Sequence, residues 1–295
     1  MIYCITGGTG LVGRAVKQAL IDQGHTVRIL SRNARQEGEY SWDPSQQTMD
    51  PAALDGAHGI VHLAGASVSS RWTASHKRAI MKSRIQGAQT LYRGIEAMAT
   101  RPEVFVGASA VGIYPSSFDR VYTELDGGAK GFLGDVVREW EAQSDRFESL
   151  GIRVAKIRIG IVLGRNNGIL KMLQPIFRLG FGSALGNGKQ WLPWIHVEDL
   201  AAMIARLATD SNLQGTWNGT GPDSVTNRDF STALAQAVKR PLWLPAPPVW
   251  ILKLVLGEMA QIAIMSTHCS AQKWNGVGFK YRFSTLSAAL KDLLD

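Results

Sequence analysis

Cysteine is nearly missing from this chain. Of 295 residues only two, Cys4 and Cys269, are cysteine, too few for a disulfide framework or a metal knuckle. Cys4 falls within an apolar run, where a small buried thiol is the ordinary outcome. So few thiols suit a reducing compartment, and a cytoplasmic location is the expectation. No histidine–carboxylate cluster has ligand spacing, so no metal is expected. Charge is also thin, at 19% of residues against an ordinary ~25%. With 45% hydrophobic residues, the chain reads as globular.

No uncharged run reaches the ~20 residues of a membrane span. The most apolar stretch, 249–265, contains Lys253 and Glu258 and reads as a packed or interfacial helix. Met1-Ile2-Tyr3-Cys4-Ile5 runs straight into glycines, unlike a signal peptide. The net charge is +8, but the basic residues are scattered and no finger, basic zipper or ribonucleoprotein signature accompanies them, so nucleic acid is not expected. A phosphate carried by a small molecule suits that charge better.

What the sequence does contain is alternation. Short apolar runs at 2–5, 26–30, 59–64, 104–108 and 154–159 read as strands. Between them, residues 11–20, 74–98 and 132–150 carry apolar positions at helical spacing. Strands alternating with helices imply right-handed crossovers. The fold class is therefore α/β: a Rossmann-type doubly wound parallel sheet with a smaller C-terminal mixed α/β substrate domain. Residues 1–165 form the dinucleotide-binding domain, with 196–220 returning to it. Residues 166–195 and 221–295 form the cap.

The most specific motif is Thr6-Gly7-Gly8-Thr9-Gly10-Leu11-Val12-Gly13, following the first strand and opening a helix. Gly7 permits a tight turn, Gly10 close approach to a pyrophosphate, and Gly13 helix-on-strand packing. An NAD site places a carboxylate at the end of the second strand. Here Ser31-Arg32-Asn33 stands there, and a guanidinium suits a 2′-phosphate. The cofactor expected is NADP(H), held by Thr6 to Gly13 with Ser31 and Arg32.

These features, with His62-Leu63-Ala64-Gly65-Ala66, Ser109, Ile157-Arg158 and Gly164, resemble an extended short-chain dehydrogenase/reductase. Arg71-Trp72, Ser83-Arg84-Ile85, the 109–114 segment, Arg138-Glu139-Trp140-Glu141, the 194–199 segment and the 276–294 stretch narrow the resemblance to atypical epimerase-family proteins (YfcH-type) with a C-terminal domain of unknown function. The resemblance implies NADP(H), with Leu63, Ala64 and Gly65 beside it.

Three departures from working epimerases stand out. The Tyr-x-x-x-Lys pair is missing, since neither residue occurs between 131 and 150. Losing a general acid–base typically costs ~10²–10⁴ in rate. Arg84 stands where the family at large has asparagine, aiming a cation toward the cofactor cleft unless it merely solvates a helix face. Leu192 occupies the place, four residues before His196, of an arginine that holds a substrate pyrophosphate, which argues against nucleotide sugars.

Ser109, at the carboxyl end of the fourth strand, is the candidate for polarising a substrate oxygen, and Tyr114 is the nearest phenol that could replace the lost acid. Glu124 and Lys130 mark a lid edge. His196 reads as a loop or core histidine and Asp199 as a helix-start charge. Trp191, Trp194 and Phe181 are expected to shape an apolar pocket. The leading reading is an NADP(H)-dependent oxidoreductase or epimerase-like enzyme acting on an unidentified small molecule, with a homodimer as the assembly considered. The rival is a catalytically silent NADPH sensor.

Overall fold

The computed structural model describes residues 1–295, apart from the side chain of Leu256. In chain order, the first half contains β1 (Ile2–Thr6), α1 (Leu11–Asp22), β2 (Thr26–Ser31), β3 (Glu39–Asp43), β4 (Thr48–Met49), β5 (Gly59–His62), α2 (Ala74–Glu96), β6 (Val104–Ala110), β7 (Val121–Tyr122) and α3 (Phe132–Asp145). The second half contains β8 (Arg153–Ile159), β9 (Ile161–Gly164), α4 (Gly168–Arg178), β10 (Trp191–Leu192), β11 (Trp194–His196), α5 (Val197–Thr209) and β12 (Gly215–Gly219). Then follow β13 (Val225–Thr226), α6 (Asn227–Ala237), α7 (Val249–Leu256), α8 (Ala260–Ile264), β14 (His268–Cys269), α9 (Gln272–Gly276) and α10 (Leu286–Leu294).

An eight-stranded sheet runs in the order β12-β8-β6-β5-β1-β2-β3-β4, parallel throughout except that β4 folds back antiparallel on β3. The strand period of two divides each strand between two cores. Tyr3, Ile5, Val104, Val106, Ala155 and Ile157 face Val16 and Leu20 of α1 and Leu200, Met203, Ile204 and Leu207 of α5. Cys4, Ile60, Phe105 and Val154 face Ala88, Leu91 and Ile95 of α2 and Phe147. This is the Rossmann-like layering of helix, sheet and helix. The expected strands and helices are found within a few residues; the hairpin of β3 and β4 has no counterpart in the sequence reading.

A further core joins β9, α4, β11, α6 and α10 through Leu163, Phe177, Trp194, Phe230, Leu234 and Leu290. Asp199 fastens this part to α5. It is 2% exposed and its carboxylate accepts from the backbone N–H groups of Arg282 at 2.7 Å and Phe283 at 3.0 Å. It stands in the first turn of α5, as expected of a helix-start charge, and it also clamps the C-terminal segment. His196 is the N-cap: its Nδ1 accepts from Glu198 N at 3.2 Å, and its ring stacks on Phe283 at 3.8 Å.

The 249–265 stretch breaks into α7 and α8 at Gly257, whose φ is 60°. Trp250, Leu254 and Val255 are exposed. Among the described residues, no helix is long and apolar enough to cross a membrane.

Removing the Asp199 clamp orphans two backbone donors. Asp199→Ala is expected to lower unfolding free energy by about 3 kcal/mol, and Asp199→Asn by about half that. Urea midpoints test it; an Asp199→Ala midpoint equal to that of the parent chain refutes the clamp.

Candidate functional site

The sheet order reverses between β1 and β5, and the crevice outside their carboxyl ends is where doubly wound sheets take ligands. The glycine loop forms its floor. Gly7 has φ +73°, and a Cβ there would stand 3.0 Å from Ala64 N and Leu63 C. At Gly13 a Cβ would lie 2.2 Å from Gly7 O. The Gly10 N–H closes the turn on Gly7 O at 3.0 Å. Gly10 also caps α1 with no side-chain hydrogen bond and no acid in the first turn. The leading amides of α1 therefore meet the crevice without a protein partner, at the positive end of the helix dipole. An added Cβ at Gly10 would meet only Gly7 O, at 3.3 Å. The cradle thus fits an anionic pyrophosphate.

The loop residues divide their work. Thr9 is exposed beside Gly10. The side chain of Leu11 packs against Gly164 and that of Val12, partly buried, against the core. Gly8 packs on Ile29. Thr6 is fully buried, a correction to its place among ligand contacts: its Oγ1 accepts from Ala64 N at 3.3 Å and lies 2.7 Å from His62 Nδ1. Thr6 and His62 thus hold the end of β5 against the loop.

Ser31 ends β2 and its Oγ accepts from Asn33 N at 3.2 Å. Arg32 is exposed beside it. Asp43, the acid that senses Arg32, is occupied: hydrogen bonds from Ser45 are the main reason its carboxyl lies below the usual range, and the Arg32 charge adds least. Leu63 N donates to Thr6 O at 3.2 Å, and Gly65 is exposed at the crevice wall. Behind Gly65 lies Arg84, 8% exposed, so the solvated-face alternative is excluded. Its Nη1 donates to Ala66 O and Ile80 O, each at 3.1 Å.

The two side chains expected to carry chemistry are otherwise engaged. Ser109 is 1% exposed and donates to Glu141 Oε1 at 2.5 Å. Glu141 also pairs with Arg158 through Nε at 2.9 Å and Nη2 at 3.1 Å. Arg158 Nη1 reaches Tyr114 Oη at 3.0 Å and Asp126 O at 2.8 Å. Tyr114, fully buried, donates to Asn218 Oδ1 at 2.6 Å. Asn218 Nδ2 donates to Ser270 O at 3.1 Å, and its N–H to Glu124 Oε1 at 3.0 Å.

Burial raises the Tyr114 hydroxyl above the phenol range despite the Arg158 charge. Burial would likewise raise Glu141, but hydrogen bonds and charge from Arg158 hold it low. Ser109 and Tyr114 thus belong to a closed network, and neither hydroxyl is free for a substrate. A buried Arg158 within the apolar β8 was the available signal, because a buried charge demands a partner.

Where the tyrosine–lysine pair would sit, the chain is apolar. Phe132 meets Trp72 edge to face at 5.1 Å, and Val136 packs with Trp72 and Ile80. Beside this lies a cavity of 540 Å³, lined by Gly112, Ser116, Lys130, Leu133, Gln261 and Met265 among others. The pocket expected from Trp191, Trp194 and Phe181 is not this one. Trp194 is core, Trp191 stacks on His268 at 4.5 Å, and Phe181 is 62% exposed.

Fold and crevice together define a class, the Rossmann-type α/β proteins of the extended dehydrogenase and epimerase build. The NAD dependent epimerase/dehydratase family profile matches residues 3–218, and a domain of unknown function (DUF1731) matches 247–293. The chain belongs to the NAD dependent epimerase/dehydratase family. It is 34% identical to the epimerase family protein YfhF of Bacillus subtilis, over 100% of this chain and 98% of that one. The epimerase family protein SDR39U1 homolog, chloroplastic, of Arabidopsis thaliana is 33% identical, over 100% and 87%. The crystal structure of human epimerase family protein SDR39U1 (isoform 2) with NADPH superposes at a TM-score of 0.91 and 29% identity, over 100% and 99%. UDP-glucose 4-epimerase of Thermus thermophilus, complexed with NAD, shares the fold at 0.78 and 18% identity, over 100% and 97%.

His62 gives a pH signature. Burial, with the Arg84 charge adding to it, pushes its imidazole from 6.5 down to about 4. Between those values the unfolded chain binds a proton that the folded chain refuses, so stability is lost as pH falls from about 6.5 to about 4. The loss is about 3 kcal/mol. Urea unfolding across that window should be steeper in pH for the parent chain than for His62→Gln; identical slopes would exclude the buried neutral histidine.

Proposed function

We propose that this chain is an NADP(H)-binding oxidoreductase of its family, acting on a small molecule held in the 540 Å³ cavity. The observation that carries the reading is the pairing of an uncapped α1 N-terminus with an exposed Arg32 where an NAD site would have an acid. The NADPH named in the human SDR39U1 structure supports it.

The backbone from Gly7 to Gly13, with Thr9, would hold the pyrophosphate, Ser31 and Arg32 the 2′-phosphate, and Leu63 to Gly65 the wall of the nicotinamide half. Bound there, NADPH supplies a hydride. Lys130 and Ser116 offer the cavity a cation and a hydroxyl for orienting a substrate oxygen. Phe132, Val136 and Trp72 keep water from the flank. Ser109, Glu141, Arg158 and Tyr114 keep the end of β6 fixed. Leu192, buried in the C-terminal core, offers a diphosphate nothing, which supports a substrate other than a nucleotide sugar.

A second reading, an NADPH-occupancy sensor without turnover, is favoured by the engagement of Ser109 and Tyr114 in the closed network. The two part on a single assay. Under the first reading, a panel of carbonyl compounds and sugars includes one that consumes the absorbance of reduced nicotinamide. Tight NADPH binding with no consumption across the panel leaves the sensor.

For the cofactor itself, a charge-assisted bond from Arg32 to a phosphate is worth about 1.5–3 kcal/mol. Fluorescence titration should show NADPH preferred over NADH, with Arg32→Ala narrowing that preference roughly 10- to 100-fold. A parent chain that prefers NADH refutes this assignment.

A further inference from the structure

The two buried arginines at the carboxyl edge differ in one respect. Arg158 has a carboxylate, Glu141, at 2.9 Å. Arg84 has carbonyl dipoles, the face of Trp140 at 4.5 Å, and an Nε that is buried without a partner. Burial draws its guanidinium down to about 10 with no acid opposing the shift, so it is charged at neutral pH. That charge is felt nearby, for it helps depress His62.

Its position gives the charge a consequence. A Cβ on Gly65 would stand 3.2 Å from Arg84 Cζ and Nη1, which places the guanidinium directly behind the crevice wall. Gly65 follows β5, on the side of the switch point away from β2. The two halves of such a sheet take the two halves of a dinucleotide. With the adenosine end assigned to β2 and Arg32, the nicotinamide end falls to the β5 side. The oxidised nicotinamide ring is a cation and the reduced ring is neutral. A fixed cation lacking a counter-ion disfavours the first and not the second. Buried, it is little screened by salt.

We propose that Arg84 sets the redox preference of the crevice, so that the chain binds NADPH more tightly than NADP⁺. Arg84 is a positioning residue in this role: it acts by its field through the wall and makes no bond to the ring. The inference rests on the NADP(H) reading above. The phosphates of the two forms are the same, so any attraction between Arg84 and phosphate cancels in the ratio of their dissociation constants. A general loosening of the wall would cancel in the same way.

The test is calorimetric titration of the full chain with NADPH and with NADP⁺. The parent chain should favour NADPH by roughly tenfold or more, the scale of a charge pair at intermediate dielectric. Arg84→Gln should bring the ratio toward one, and Arg84→Lys should restore most of it. Should Arg84→Gln fail to fold, Arg84→Met keeps an apolar stem against Trp140 and carries the same expectation. A parent ratio of one overturns the proposal, as does a neutral variant that keeps the parent ratio. A parent chain that binds neither nucleotide overturns the proposed function instead.

Discussion

An arginine and a glutamate largely withdrawn from water, their side chains 8% and 12% exposed, hold up the edge of the sheet on which the crevice rests. Removing two charges from solvent is costly, and the attraction between them compensates only when the remaining polar atoms are satisfied too. Here they are. Glu141 takes Ser109 as well as Arg158, and Arg158 spends its last nitrogen on Tyr114 and two backbone carbonyls. The partners come from β6, α3 and β8, from the 3₁₀ turn after β6, and through Asn218 from β12. Asn218 extends the chain of bonds to Ser270, next to β14. One satisfied network therefore includes Tyr114 of the cavity lining and ties the C-terminal segment to the sheet.

That arrangement explains how the chain tolerates the loss of the tyrosine–lysine pair. In a crevice that used them, a phenol and an ammonium would need water, ribose and one another to stay poised near neutrality. The helix face that would carry them is filled with Phe132 and Val136, packed on Trp72. An apolar face needs no partners, so α3 and α2 approach directly, and Arg84 is left sealed between them against Trp140. The lost relay and the buried, unpaired guanidinium are two results of the same packing.

The sheet was legible because its signals are local. Apolar runs of four to six residues mark buried parallel strands, and helical spacing marks the crossovers. Gly7 and Gly13 could be assigned from spacing alone because backbone contact leaves no room for a Cβ. The hydroxyls were not legible. Ser109 occupies the strand end where chemistry is expected, yet its partner Glu141 lies 32 residues away, and Tyr114 finds Asn218 across 104. No local pattern encodes which of two competing acceptors a hydroxyl will meet. The second role of Asp199 was hidden for the same reason: its place in the first turn of α5 is local, whereas its clamp on a segment 83 residues further on is not. The β3–β4 hairpin was missed because the spacing of Tyr40 and Trp42 covers too few residues to outweigh the turn-forming residues around it.

The crevice is thus left with cations at both ends and different dielectrics around them. Arg32 stands in solvent, where attraction for a phosphate is short-ranged and weakened by salt, so the role proposed for it requires direct hydrogen-bonding contact. Arg84 is sealed behind Gly65, where it cannot reach out to a ligand but its field is little weakened. A contact discriminates by shape and discerns a phosphate from a hydroxyl; a field discriminates by charge and discerns a neutral ring from a cationic one. The sequence places the same residue type at both ends, and in the proposed reading burial is what gives each its separate task.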